Sequence, residues 1–312
     1  RSVADEYACA LSLAKHSYFE QKLPSLLVTN PRRFWQVIGG NNKKQIGLVS
    51  GSKSFIPREN CCLALNSVFA SSFVNVAPTT VPNLFTHNYD LMESVHLDWE
   101  GITKLIENLK PSFSPGDDGI NAKFLKNTAL FSSLILYRIF SQSLESSTLP
   151  NDWKVGKVVP LHKSGNTNDP HNYRPISITS VPCKLLEHVI YCNLVNFLEN
   201  NSFFTNFQHA FRKTYSCETQ LLCFTNDLFS AIDRDTFIDC VFIDFSKAFD
   251  TVCHELLLLK LSKLNLDPHI LKWIECFLHN REQFVTANEC NSPPTAVTSG
   301  VPEGSVLGPL LF

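Results

Sequence analysis

The chain has 312 residues, of which 44% are hydrophobic and 18% are charged, and its formal net charge is −2. This length and composition are typical of one or two globular domains that bury a real core. The sequence has no run of 18 apolar residues to predict a membrane span, and no Cys-x-x-Cys pair to predict a zinc or redox site. Near neutrality also argues against strong nucleic-acid binding by the chain as a whole.

The eleven cysteines are scattered, and no charged and then apolar N-terminal segment predicts a secretory signal. We therefore predict an intracellular protein whose cysteines are reduced. Cys61 and Cys62 follow one another within an apolar helical pattern, and we expect both to be buried thiols.

The first 97 residues predict a helical N-terminal extension. Apolar side chains recur at helical spacing from Ala4 to Leu23, and Asn30-Pro31 begins a second helix. A third, amphipathic helix is predicted from Arg58 to Val74. The stretch from Ala77 to Leu97 has two prolines and no periodicity, so we interpret it as a linker.

Residues 98–235 predict mainly helices and one strand. The strand, Trp153 to Leu161, alternates in polarity and leads into a polar loop. The predicted helices are Trp99 to Leu109, one that begins at Ala122, Leu130 to Leu144, Pro182 to Leu198, and Glu218 to Ile232.

Two cations flank the loop after this strand. Lys163 follows the strand directly, and Arg174 lies beyond a flexible Gly-Asn-Thr-Asn stretch. Lys as a point charge and Arg as a fork could together clamp a triphosphate, although a solvated hairpin would carry the same residues. Residues 151–215 hold seven Lys or Arg and four acidic residues, so this is the basic part of the chain.

The stretch around Asp244 carries the clearest chemical signal. Cys240 to Ile243 is a short β-branched and aromatic run, which predicts a buried strand with Asp244 at its tip. A carboxylate in that position suits Mg²⁺, which takes oxygen ligands from one or two carboxylates and from substrate phosphates. The alternative is a polar turn in which Asp244 and Asp250 are solvated or cap the next helix.

The remaining residues predict two core helices and a hairpin. The helices run from His254 to Leu264 and from Pro268 to Phe277, with apolar side chains at helical spacing. Strands are predicted at Gln283 to Ala287 and Thr295 to Thr298. Ser305 is placed to cap a final helix.

Four motifs, in order, resemble those of reverse transcriptases of non-LTR (LINE-like) retrotransposons, closest to the jockey and CR1-like branch. Two finger motifs are Asn-Tyr-Arg-Pro-Ile-Ser at 172–177 and Phe-Gln-His-Ala-Phe-Arg-Lys at 207–213. Motif A is Asp-Phe-Ser-Lys-Ala-Phe-Asp-Thr-Val at 244–252, and motif B is Ser-Gly-Val-Pro-Glu-Gly-Ser-Val-Leu-Gly-Pro-Leu-Leu-Phe at 299–312.

The resemblance implies an α+β fold with fingers over 98–235, a partial palm over 236–312 and no thumb. It implies an RNA-directed DNA polymerase that uses an RNA template, a DNA primer and dNTPs, acts in cytoplasm and nucleus, and does not need a membrane. The metal is Mg²⁺, with Mn²⁺ as an alternative.

The resemblance also assigns roles to individual residues. Asp244 and the Phe245 carbonyl would be metal ligands, Phe249 would exclude a 2′-hydroxyl, and Asp250 would support the catalytic turn. The residues implied to contact the nucleotide or its phosphates are Lys163, Arg174, Arg212, Phe245, Phe249, Glu303 and Gly304.

Two departures from the family pattern bear on activity. Glu303 occupies a position where Gln is usual, so it would either repel a triphosphate or turn away from it. The Tyr-x-Asp-Asp motif that supplies the other metal ligands does not occur in these 312 residues. We therefore expect a fragment truncated after motif B that does not turn over on its own.

Two other functions stay open at this stage. The chain could be a decayed remnant that at most binds nucleic acid through its basic segment. It could also be a phosphohydrolase with Asp244 as nucleophile, although nothing else in the sequence supplies the acid or base.

Overall fold

The computed structural model divides the chain into two compact units, Arg1–Gln45 and Ile46–Phe312. No described helix is both long and apolar enough to cross a membrane. The residues that the structure describes are 3–31, 34–35, 45–49, 56–74, 89–112 and 114–312.

The first unit is helical in its described part. Helix α1 (Val3–Ser17) continues through a π-helical turn (Tyr18–Lys22) into α2 (Leu23–Thr29). The helix predicted from Ala4 to Leu23 is therefore confirmed and runs further. The helix predicted to begin at Asn30-Pro31 lies mostly outside the described residues.

The helices of the second unit match the predicted ones closely, because their apolar residues recur at helical spacing. Helix α3, which follows a 3₁₀ turn at Arg58–Asn60, ends slightly before the predicted position. The helices are α3 (Cys61–Ala70), α4 (Trp99–Glu107), α5 (Ala122–Asn127), α6 (Ala129–Ser146), α7 (Val181–Asn200), α8 (Cys217–Asp233), α9 (His254–Leu261), α10 (Pro268–Leu278) and α11 (Gly308–Leu311).

A five-stranded mixed sheet completes the second unit, and together with the helices it makes the predicted α+β fold. The order is β2-β1-β3-β4, and β5 also pairs with β3. Strand β1 is antiparallel to β2 and parallel to β3. The strands are β1 (Val155–His162), β2 (Tyr173–Ile178), β3 (Arg281–Ala287), β4 (Cys290–Asn291) and β5 (Thr295–Val297).

Two apolar cores hold this unit together. The larger one is helical and is centred on fully buried side chains of α6, α7 and α10, among them Phe140, Ile190 and Phe277. In the smaller one, α3 packs through Cys61 and Leu65 against β1 and β3. Cys61 and Cys62 are buried thiols, as predicted.

The strand predicted at Cys240–Ile243 is wrong. Residues 236–245 adopt neither helix nor strand, and Val241, Phe242 and Ile243 are about four-fifths exposed. A strand needs a hydrogen-bonded neighbour, and the five described strands are paired with one another and not with this run. Its composition favours β-structure, but β-propensity depends on packing against neighbours.

This correction predicts a contrast between two phenylalanines. Phe242→Ala should change the free energy of unfolding by less than about 0.5 kcal/mol, because the ring is 84% exposed. Phe277→Ala should lose about 3–5 kcal/mol, because that ring is 0% exposed. Urea unfolding measures both, and a large loss for Phe242→Ala would mean that the run is buried in solution.

Candidate functional site

One open cleft gathers most of the residues that the sequence singled out. It lies between the ends of β1 and β2, helix α3 and the segment 244–250, with an empty volume of about 1160 Å³. Seven of the nine predicted site residues line it: Lys163, Arg174, Asp244, Phe245, Phe249, Asp250 and Glu303.

Strands β1 and β2 bring two cations together. Strand β1 ends immediately before Lys163, whose N–H donates to the Asn172 carbonyl at 2.8 Å. In the antiparallel register Arg174 pairs with Leu161, so it lies beside the same end of the hairpin. Both side chains are exposed, and within the described chain neither cationic group has a hydrogen bond or ion pair. Arg174, where the predicted polar loop ends, belongs to strand β2.

The segment after Asp244 turns back on itself. Asp244 and Phe245 are exposed, and residues 246–250 form consecutive turns. Lys247 adopts a left-handed φ of 52°, and its carbonyl accepts hydrogen bonds from the N–H groups of Asp250 and Thr251. The turn thereby presents carboxylates on the cleft from both of its ends.

The segment that begins at Ser299 fixes this turn through the backbone. Gly300 N–H donates to the Val252 carbonyl, and Val301 N–H donates to the Phe249 carbonyl, both at 2.8 Å. The Ser299 hydroxyl donates to the Asp250 carbonyl at 2.7 Å. Gly300 has a φ of 85°, and a Cβ there would lie 2.6 Å from the Phe249 carbonyl oxygen. Only glycine fits this contact without displacement.

Gly304 does not line the cleft, and it packs instead against the backbone of β2. Its φ is 120°, and a Cβ would lie 2.5 Å from the Ser177 carbonyl oxygen. The preceding Glu303 carbonyl accepts the Ser177 N–H at 2.9 Å. Gly304 therefore lets the segment approach β2 closely, and its predicted nucleotide contact stays a prediction.

Comparison with known families identifies this region. A family model of reverse transcriptases (RNA-dependent DNA polymerases) matches residues 161–312. This part of the chain belongs to the reverse transcriptase family. The match spans both finger motifs, motif A and motif B, and so includes every residue that lines the cleft from β1, β2, the Asp244 turn and Glu303.

Relatives confirm the predicted resemblance to jockey-like non-LTR elements. The chain is 33% identical over 216 residues to the probable RNA-directed DNA polymerase from transposon BS of Drosophila melanogaster, covering 68% of this chain and 24% of the relative. It is 30% identical over 214 residues to the RNA-directed DNA polymerase from mobile element jockey of Drosophila funebris, covering 68% and 23%. The aligned region spans about a quarter of these relatives.

The reverse transcriptase cleft carries an unfavourable pair of acids. Burial raises the pKa of the Asp250 carboxyl, the nearby Glu303 raises it further, and Lys247 acts in the opposite direction. Glu303 also lines the cleft and lies near enough to Asp250 to act on its charge. A negative charge in this position opposes the approach of an anionic nucleotide.

Asp244, the predicted metal ligand, is exposed and lines the cleft together with Lys163 and Arg174. In the part of the chain that the structure describes, no three His, Cys, Asp or Glu side chains group closely enough to hold a metal ion. The ligand role predicted for Asp244 stays a prediction.

Arg212 does not reach the cleft, contrary to its predicted phosphate contact. Its guanidinium forms two hydrogen bonds with the Glu199 carboxylate, at 2.8 and 3.0 Å, and donates to the Thr205 carbonyl at 2.7 Å. It also lies over the rings of Phe204 and Tyr215. The pKa of Arg212 is raised, mainly by the hydrogen bonds with Glu199. These contacts join the guanidinium to the end of α7 and to the loop between α7 and α8.

Sequence reasoning missed Glu187, which anchors motif B. This carboxylate on α7 is fully buried, and one oxygen accepts the N–H groups of Val306 and Leu307 at 2.7 and 3.2 Å. The Ser305 hydroxyl accepts the Gly308 N–H at 3.0 Å, but the N-cap position of α11 is Leu307, so Ser305 is not the capping residue that was predicted. The available signal was an acidic residue on an apolar helix face.

Replacing Gly300 tests the contact between the two motifs. Gly300→Ala should lower the free energy of unfolding by about 1–3 kcal/mol, because alanine is strained at this φ and meets the backbone of Phe249 and Asp250. Gly101→Ala should leave the free energy of unfolding unchanged or raise it by up to about 1 kcal/mol. Gly101 lies in helix α4, and the nearest atom to an added Cβ is 3.6 Å away. Equal effects in urea unfolding would contradict the contact.

The acid pair predicts a measurable pKa change. Glu303→Gln should lower the pKa of Asp250, because it removes the nearby negative charge. Titration of the Asp250 carboxyl carbon by ¹³C NMR measures this, with Glu275→Gln on α10 as the control that leaves it unchanged. Since the folded-state pKa is raised, the stability that protonated Asp250 contributes should be present at acid pH and lost as pH rises through that pKa. Asp250→Asn should abolish this dependence.

Proposed function

We propose that the cleft is the nucleotide-binding site of an RNA-directed DNA polymerase, in which 98–235 are fingers and 236–312 part of the palm. The observation that carries the proposal is the meeting of two cationic residues, Lys163 and Arg174, with Asp244 in one cleft. Cations that bind phosphates, beside a carboxylate that can hold Mg²⁺, are what phosphoryl transfer requires.

In this proposal each residue has a distinct task. Lys163 and Arg174 bind the nucleotide phosphates, Arg174 through its planar fork of donors. Asp244 and the Phe245 carbonyl would hold Mg²⁺ or Mn²⁺, which would supply stabilisation of the negative charge that develops in phosphoryl transfer.

Phe249 would set the choice of sugar. Its ring lines the cleft and stacks on Phe312, with centroids 5.0 Å apart and planes at 27°. A ring held in this way beneath the sugar would exclude a 2′-hydroxyl, so the product would be DNA. Asp250 supports the turn from which Phe249 projects.

The chain as given is proposed to bind a nucleotide without turning it over. Two-metal catalysis needs carboxylates from more than one segment, and no Tyr-x-Asp-Asp occurs in the sequence. The named relatives are RNA-directed DNA polymerases, and an RNA template with a DNA primer are the partners that this function requires. Glu303 would weaken nucleotide binding but not abolish it.

Nucleotide affinity tests the proposal. The chain should bind dTTP in the presence of Mg²⁺, and Lys163→Ala and Arg174→Ala should each weaken binding roughly 10- to 100-fold, because each removes a charge-assisted phosphate contact. Lys272→Ala, an exposed lysine on α10 outside the cleft, is the matched control. Isothermal titration calorimetry gives the affinities.

Two outcomes would contradict the proposal. Failure of the chain to bind dTTP, with nucleic acid still bound, would favour a remnant that only binds nucleic acid. Primer extension by the chain itself would show that it has a complete set of metal ligands, against the expected absence of turnover.

A further inference from the structure

A third cation, Lys247, lines the same cleft as Lys163 and Arg174. Its side chain is exposed, and its ammonium donates to the Ser72 hydroxyl at 2.6 Å. An ammonium has three donors, and within the described chain Lys247 forms no ion pair with a carboxylate. Two of its donors are therefore available to an oxygen-rich anion in the cleft.

Ser72 comes from outside the region that the reverse transcriptase family model matches. It follows helix α3, whose residues Val68 and Phe69 form a wall of the cleft. This helix belongs to the predicted N-terminal extension, for which the sequence predicts no site residue.

Helix α3 is a rigid support, because it is fastened to the sheet by polar contacts as well as by its apolar core. The buried Asn66 side chain donates to the Pro293 carbonyl at 3.1 Å and to the Thr295 hydroxyl at 2.9 Å. Beyond Ser72, the Val74 N–H donates to the Ser299 hydroxyl, which itself donates to the Asp250 carbonyl. Ser72 therefore lies between two attachments, one to β5 and the loop before it and one to Ser299 of motif B.

We propose that Lys247 is a third polyphosphate-binding residue of the cleft and that Ser72 is the positioning residue that holds its ammonium there. The inference rests on the proposed nucleotide site and extends that site into the N-terminal extension. Its ligand is the phosphate chain of a nucleoside triphosphate.

Charge balance explains why a third cation is needed. Asp244, Asp250 and Glu303 bring three carboxylates to the cleft, against the two cations of the β1–β2 hairpin. Lys247 lies close enough to Asp250 to act on its charge. The positive charge of Lys247 offsets the negative charges of Asp250 and Glu303, which would otherwise repel the phosphates.

The test compares phosphate-dependent binding in matched variants. Lys247→Ala should weaken dTTP binding about 10-fold. Binding of thymidine monophosphate, which has one phosphate and lacks the β- and γ-phosphates, should change less than about 2-fold. Ser72→Ala should weaken dTTP binding roughly 3-fold, and Ser72→Thr, which keeps the hydroxyl, should restore it. Ser71→Ala and Lys272→Ala are controls, because the Ser71 hydroxyl donates to the Val68 carbonyl three residues before it, and Lys272 lies outside the cleft.

The outcomes separate this inference from the function on which it rests. If the parent chain does not bind dTTP, or Lys163→Ala leaves its affinity unchanged, the proposed function fails and this inference with it. If Lys163→Ala weakens binding but Lys247→Ala behaves like Lys272→Ala, the inference alone is overturned. It is also overturned if Lys247→Ala weakens binding of a primer–template duplex and leaves dTTP unaffected. Urea unfolding of each variant verifies that the fold is intact.

Discussion

The cleft depends on a backbone contact between two segments that are far apart in sequence. The turn around Asp250 belongs to no sheet, so its position rests on hydrogen bonds with the segment that begins at Ser299, 49 residues later. Gly300 makes this contact possible, because any side chain there would meet the backbone of the turn. The absence of a Cβ at Gly300 thus sets how closely this turn approaches motif B.

The remaining walls of the cleft come from elements with independent support. The β1–β2 hairpin presents its cations at one end through its antiparallel register, which a slip of one residue would destroy. Helix α3 closes the cleft from the other side and is fixed to the sheet by its own small core. The site therefore combines helix α3, the β1–β2 hairpin, the turn at 246–250 and the motif B turn, which are far apart in the sequence.

The helices could be predicted from sequence because helical periodicity is a local property, whereas the site needed contacts that no local pattern contains. The run at 240–243 has strand composition, but pairing depends on a partner that composition does not reveal. Arg212 matches a phosphate-binding motif, yet its guanidinium forms an ion pair with Glu199. The contact between Ser72 and Lys247 joins residues 175 positions apart, and nothing in either segment indicates it.

The exposed run that includes Phe237, Val241 and Phe242 decides how the isolated chain behaves in concentrated solution. It is exposed and rich in aromatic and β-branched residues, and its backbone groups pair with no described strand. Such a segment is a template for the strand of another molecule, and a net charge of −2 provides little mutual repulsion. Colloidal stability and refolding yield therefore depend on a few surface residues, while the core governs only the unfolding equilibrium.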